Sequence, residues 1–229
     1  MSTHEAGTGG EALDMKRDWN ARAVSNAEHF IATTHGQSEE AFRASGERDA
    51  RLLFAGLEEV LGPARVLVDI GCGIGRMDEF LAPRVGRLIG VDVSGEMVRK
   101  ARARLARLAN ASFVEGDGFT LPLPDACADT VYSHIVFQHM PRPVARGYFR
   151  EALRVLRAGG DFLFQMPEWN PRAPADPPEG DTFEMRFWKE LELRSELEAL
   201  GFRWRGTARH PVTTPMLDFD QLRVHVRKP

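Results

Sequence analysis

The chain has 229 residues, 43% of them hydrophobic and 28% charged, a size and balance suited to one globular α/β domain with a sizeable core. A formal net charge of −3 gives no reason to expect nucleic acid or an anionic membrane surface as the main partner. The two cysteines, Cys72 and Cys127, supply neither a disulfide framework nor a C-x-x-C metal pair, which points to a reducing cytoplasm, and no run approaches the ~20 apolar residues of a membrane span.

Residues 1–12 read as a loose, small and polar tail, and residues 13–229 as a single domain. Residues 13–61 form an expected N-terminal helical cap. Trp19, Ala23, Ala27 and Phe30 recur at helical spacing, and Ser45-Gly46 reads as a break. A second helix then carries Leu53, Leu57 and Leu61 to a stop at Gly62-Pro63.

From there strands and helices alternate. Strands are expected over 65–70, 87–91, 111–115, 130–133 and 161–166. The intervening helices fall over 76–85, 95–109 and 144–156, with Ser94 as an N-cap and Gly159-Gly160 as a C-terminal stop. Residues 167–188 form a proline-rich insertion, long enough to expect a functional role. A helix over 189–200 and strands over 202–210 and 221–227 close the chain. The pattern implies a doubly wound, Rossmann-like sheet of seven strands, mostly parallel, with an antiparallel edge and a helical cap.

Chemistry concentrates at the carboxyl ends of the first four strands, where an open α/β sheet binds its ligand. Val66-Leu67-Val68-Asp69-Ile70 runs into Gly71-Cys72-Gly73-Ile74-Gly75-Arg76. A dinucleotide fingerprint needs a further glycine where Arg76 stands. Asp92 ends the second strand, Asp117 lies between two glycines after the third, and the fourth leads through Ser133-His134 to His139.

These motifs in order, with Gly90-Val91-Asp92-Val93-Ser94-Gly95-Glu96-Met97 and Val155-Leu156-Arg157-Ala158-Gly159-Gly160, resemble class I S-adenosylmethionine (SAM)-dependent methyltransferases. The resemblance covers about Val66 to Met166. It implies SAM as the methyl donor and S-adenosylhomocysteine as product. It also implies that Gly71, Gly73 and Gly75 admit the methionyl part and that Asp69 orients its amino group. Asp92 would hold the ribose, Val93 and Met97 the adenine ring, Asp117 and Gly118 the adenine edge, and Ser133 and His134 the methionyl side. Alternatively, Asp92 and Asp117 cap the helices that follow their strands, and Gly116 and Gly118 only form a turn.

Methyl transfer to an O, N or C atom of a small hydrophobic or aromatic molecule is the expected reaction, by in-line displacement and without a metal. His139 is the candidate base, or else its ring packs and bonds to backbone. The acceptor pocket is expected from Trp19, Phe30, His35, Trp169, Phe183 and Trp188, with Arg43 or Arg48 on the methionyl carboxylate. A monomer or homodimer is expected. The rival readings are a NAD(P)-dependent Rossmann oxidoreductase, a methyltransferase of RNA or protein, and a non-enzymatic module.

Overall fold

The computed structural model describes residues 8–32, 38–213 and 217–229, with side chains from Met15 onward. Five strands run parallel: β1 (Val66–Ile70), β2 (Arg87–Asp92), β3 (Ala111–Glu115), β4 (Ala128–Ser133) and β5 (Leu156–Pro167). With β6 (Arg203–Thr213) and β7 (Asp218–Arg227) they form one sheet of order β3-β2-β1-β4-β5-β7-β6. The expected antiparallel edge is the β6–β7 pair, and the reversed strand β7 is inserted between β5 and β6.

Alternation along β1 sets the two faces. Val68 and Ile70 join a core beneath α5 (Arg142–Val155) and α6 (Glu190–Leu200), with Phe149, Phe162 and Leu197. Leu67 points the other way, into a core with Leu53 and Phe54 of α2 (Glu39–Phe54), Leu81 of α3 (Asp78–Leu81) and Val98 of α4 (Gly95–Arg104). Helices on both faces explain why the central strands are apolar on both sides.

Several helix boundaries differ from expectation. α2 runs straight through Ser45-Gly46. Gly46 is needed for close approach, since a Cβ there would lie 2.3 Å from the Arg76 carbonyl oxygen. α2 ends at Phe54, so Leu57 and Leu61 lie beyond it around a 3₁₀ turn, Glu58–Val60. The first crossover helix is only α3, followed by a 3₁₀ turn over Ala82–Arg84, because Pro83 removes a donor and tightens the chain. α4 stops at Arg104. α5 passes into β5 at Leu156 without a loop, so Gly159-Gly160 stands inside the extended segment, beside a register shift between Ala128 and Thr130. The N-terminal helix α1 (Thr8–Ala32) is broken at Asn26, whose φ of −164° and ψ of 84° leave helical geometry.

Candidate functional site: a glycine-floored cleft under the cap

Gly71 and Gly73 have φ of +80° and +54°, the left-handed region that side chains with a Cβ resist. That conformation turns the chain off β1 so that the backbone N–H groups of Gly71 and Cys72 donate to the Val91 carbonyl, at 2.7 and 3.1 Å. Asp92 completes the floor. Its Oδ2 accepts from the Gly73 N–H and its Oδ1 from the Ser94 N–H, both at 2.8 Å. Burial raises its pKa to about 6 against those two donors.

Below the loop sits a buried acid pair. Asp78 Oδ1 accepts from the Tyr132 hydroxyl at 2.7 Å. Burial and the neighbouring Asp78 charge hold Asp69 well above the usual carboxylate range, and burial lifts Asp78 too. Asp69 therefore meets the cleft in an environment that favours a proton or a cation beside it.

The cleft above this floor encloses about 920 Å³ counted to its mouth. Of the residues expected around a cofactor, it brings together Asp69, Gly71, Gly73, Asp92, Val93, Met97 and His134, and with them Trp19, Phe30 and His139. Gly75, Asp117, Gly118 and Ser133 are not in its wall. Asp117 closes its own turn, accepting from the N–H groups of Phe119 and Thr120 and from the Thr120 hydroxyl, at 2.8, 2.7 and 2.7 Å. Ser133 donates to the Ile70 carbonyl at 2.8 Å, tying β4 to β1.

A chain of amides leads to His139. Ile135 holds a φ of +57°, strained for a β-branched residue. Its N–H donates to Gln165 Oε1 at 2.9 Å, and Gln165 Nε2 donates to Gln138 Oε1 at 3.1 Å. Gln138 Nε2 then lies 3.1 Å from His139 Nε2, and His139 Nδ1 bonds the Phe183 carbonyl. A carbonyl only accepts and an amide nitrogen only donates, so Nδ1 carries the proton and the Nε2 lone pair is occupied. Burial drops the His139 pKa to about 4, against the pull of that carbonyl, and does the same to His134 against Asp49.

The roof joins α1 to the insertion. Arg22 Nη1 donates to the Thr182 carbonyl and hydroxyl, at 3.3 and 2.9 Å, and its guanidinium lies over the rings of Trp19 and Phe183. Phe183 packs edge-on to Phe30 and stacks on His139, with centroids 5.8 and 5.9 Å apart. The other aromatic residues expected there are elsewhere. Trp188 is fully buried in the core beneath Arg142, because its backbone bridges Pro167 and Trp169 and turns the ring inward. Trp169 is exposed in a separate surface hollow with Lys189 over its ring. His35 lies outside the described residues. Arg43 turns to Glu79, at 2.9 Å.

Sequence reasoning missed Met15, Ile31, Arg76, Met77 and Tyr148, which also line the cleft. Only Arg76 had a visible signal, its place directly after the glycine loop. It is buried, and its Nη1 donates to Asp49 and Ser45 of α2 at 2.7 and 3.0 Å.

A doubly wound sheet with a glycine floor, an acid ending β2 and a cap over both is the architecture of a class I methyltransferase domain. Residues 67–160 match the family described as a methyltransferase domain, and this part of the chain is similar to class I SAM-dependent methyltransferases. Trans-aconitate 2-methyltransferase of Afipia carboxidovorans is 34% identical over 129 residues, 56% of this chain and 47% of that one. A 2-methyl-6-phytyl-1,4-hydroquinone methyltransferase of Synechocystis is 29% identical over 61% of this chain and 41% of its own length. The chain thus spans about half the length, or less, of these curated relatives. In fold it is similar to the Burkholderia thailandensis 1,6-didemethyltoxoflavin-N1-methyltransferase, with a TM-score of 0.72 at 20% identity, over 100% of this chain and 93% of that one. Among the described residues no helix is long and apolar enough to cross a membrane.

Proposed function

We propose that this protein transfers a methyl group from SAM to a small organic acceptor bound beneath the cap. The observation that carries this reading is the pairing of the Gly71–Gly73 floor with Asp92. Gly71 and Gly73 line the cleft without side chains there, beside a carboxylate whose lone pairs exceed its two backbone donors. A nucleoside needs that combination for its ribose, and a cationic amino acid moiety suits Asp69.

SAM supplies an electrophilic methyl on a sulfonium. The residues of this chain bind, orient and exclude water. Asp92 accepts from the ribose hydroxyls, Val93 and Met97 flank the adenine, and Asp69 faces the methionyl ammonium. Trp19, Phe30 and Phe183 close the roof over the reacting groups. His139, with its Nε2 lone pair held by Gln138 and its pKa lowered, is better suited to positioning Phe183 and the insertion than to taking a proton.

Isothermal titration with S-adenosylhomocysteine tests the reading, with NAD as the competitor of the rival oxidoreductase class. Micromolar binding of the nucleoside thioether and none of NAD is expected. A wild-type protein that binds neither, or only NAD, refutes it. His139→Gln should lower kcat by less than about tenfold, where loss of a general base would lower it about 10²–10⁴-fold.

A further inference from the structure

The cleft has a neighbour. A second hollow, about 1130 Å³ counted to its mouth, opens beside α2 and β5 and shares Arg76, His134 and Ile135 with the cleft. Its wall carries the guanidinium groups of Arg48, Arg76 and Arg223 against a single carboxylate, Asp49. Asp49 serves two of them, Arg76 at 2.7 Å and Arg48 at 3.2 Å. Arg223 donates to the neutral carbonyls of Leu52 and Ala55, at 3.0 and 2.7 Å, and its nearest opposing charge, Glu58, lies outside the wall of the hollow. The hollow therefore holds an excess of positive charge.

Two histidine nitrogens in the same wall, His134 Nδ1 and His210 Nε2, are buried with no hydrogen-bond partner among the described residues. A buried polar atom left unpaired costs free energy and calls for a partner. His210 comes from β6 opposite Gln221, at the end of the sheet where Gln165 also reaches the hollow. Surplus cations and unpaired imidazole nitrogens together suit a compact anion with a proton-bearing or accepting edge.

We propose that this hollow seats a carboxylate of the methyl acceptor, with His210 and Arg48 as its anchors. The proposal rests on the methyl-transfer reading above. A carboxylate accepts from an imidazole N–H and a guanidinium at once, in charge-assisted bonds. The rest of the acceptor crosses the boundary at Arg76, His134 and Ile135 into the apolar cleft under Trp19 and Phe30. The substrate class is thus a small carboxylic acid with an apolar body.

The test is calorimetry on the full chain. Titration of S-adenosylhomocysteine alone comes first, and failure there refutes the methyl-transfer reading, whatever the hollow binds. With that ligand saturating, phenylacetate, 4-hydroxybenzoate and glutarate are titrated beside their amides. At least one acid should bind tenfold or more tightly than its amide. His210→Ala and Arg48→Ala should each weaken that acid tenfold or more, and His210→Gln, which keeps a donor, should weaken it less. No preference for any acid, or an acid indifferent to both alanine variants, overturns the proposal. So does a loss of S-adenosylhomocysteine affinity in these variants with 5′-methylthioadenosine unaffected, since the hollow would then serve the cofactor's own carboxylate.

Discussion

The floor and the roof of the cleft are held in different ways. The floor is backbone: three N–H groups of the glycine loop and one of Ser94 bond to a carbonyl and a carboxylate of residues 91 and 92. The roof is side chain: Arg22 reaches Thr182 across 160 residues of sequence, and Phe183 lies between Phe30 and His139. A floor of this kind is specified by two short stretches on neighbouring strands, Gly71–Gly73 after β1 and Val91–Ser94 at the end of β2. A roof of this kind exists only once distant elements have docked.

The contrast is most severely tested at Trp188, which belongs to neither region. Trp188→Ala should destabilise the fold by about 3–5 kcal/mol, the scale for emptying a large core site. Chemical denaturation measures this, and the folded variant should bind S-adenosylhomocysteine as the wild type does. A near-neutral stability with altered acceptor choice would return Trp188 to the pocket.

On the floor, Gly73→Val should weaken S-adenosylhomocysteine on the order of 100-fold while circular dichroism stays native. A branched residue resists a φ of +54°, and its Cβ would stand 2.8 Å from Ile31 Cδ1 of the cap. Wild-type affinity in a folded variant would break the description of the floor.

Asp92→Ala should weaken the same ligand by about 1.5–3 kcal/mol, the range for hydrogen bonds to a charged group. A pH series sharpens this. The folded pKa of Asp92, about 6, lies above the ordinary carboxylate value, so the unliganded fold takes up the proton first as pH falls. Its contribution to stability is therefore present below about pH 4 and is lost as pH rises through 6. Ligand affinity should run the opposite way, falling below about pH 6 in the wild type and losing that dependence in Asp92→Asn.

The smallest effect belongs to the roof. Arg22→Ala should raise amide exchange over residues 181–186 and change S-adenosylhomocysteine affinity by less than about threefold, the scale of one partly exposed hydrogen bond. In the wild type the ligand should slow exchange in residues 45–48 of α2. Exchange in that segment indifferent to ligand would make the cap a fixed wall instead of a lid.

The same contrast explains what the sequence revealed. β1 to β4, the glycine loop and the acid at Asp92 were legible because each is a local pattern, a strand of apolar residues ending in a turn. Asp117 shows the limit of such a pattern: an acid between glycines after a strand looks alike whether or not it also bonds the amides of its own turn, as Asp117 does with Phe119 and Thr120. Gly46 read as a break because spacing cannot reveal that another segment presses on a helix at that point. Trp169, Phe183 and Trp188 share one composition and three fates, and only the path of the insertion separates them. The amides Gln138 and Gln165 carried no signal, since their role lies in bonding each other and His139.

Arg223 has a consequence for assembly on the ribosome. Its guanidinium satisfies the final carbonyls of α2, yet 168 residues separate it from Ala55. At about 5–20 residues per second, synthesis of that interval takes on the order of ten to thirty seconds. Throughout it the C-terminal end of α2 lacks its cation, which arrives only when β7 pairs with β5. The end of α2 is thus completed only by β7, a strand synthesised after the six other strands of the sheet.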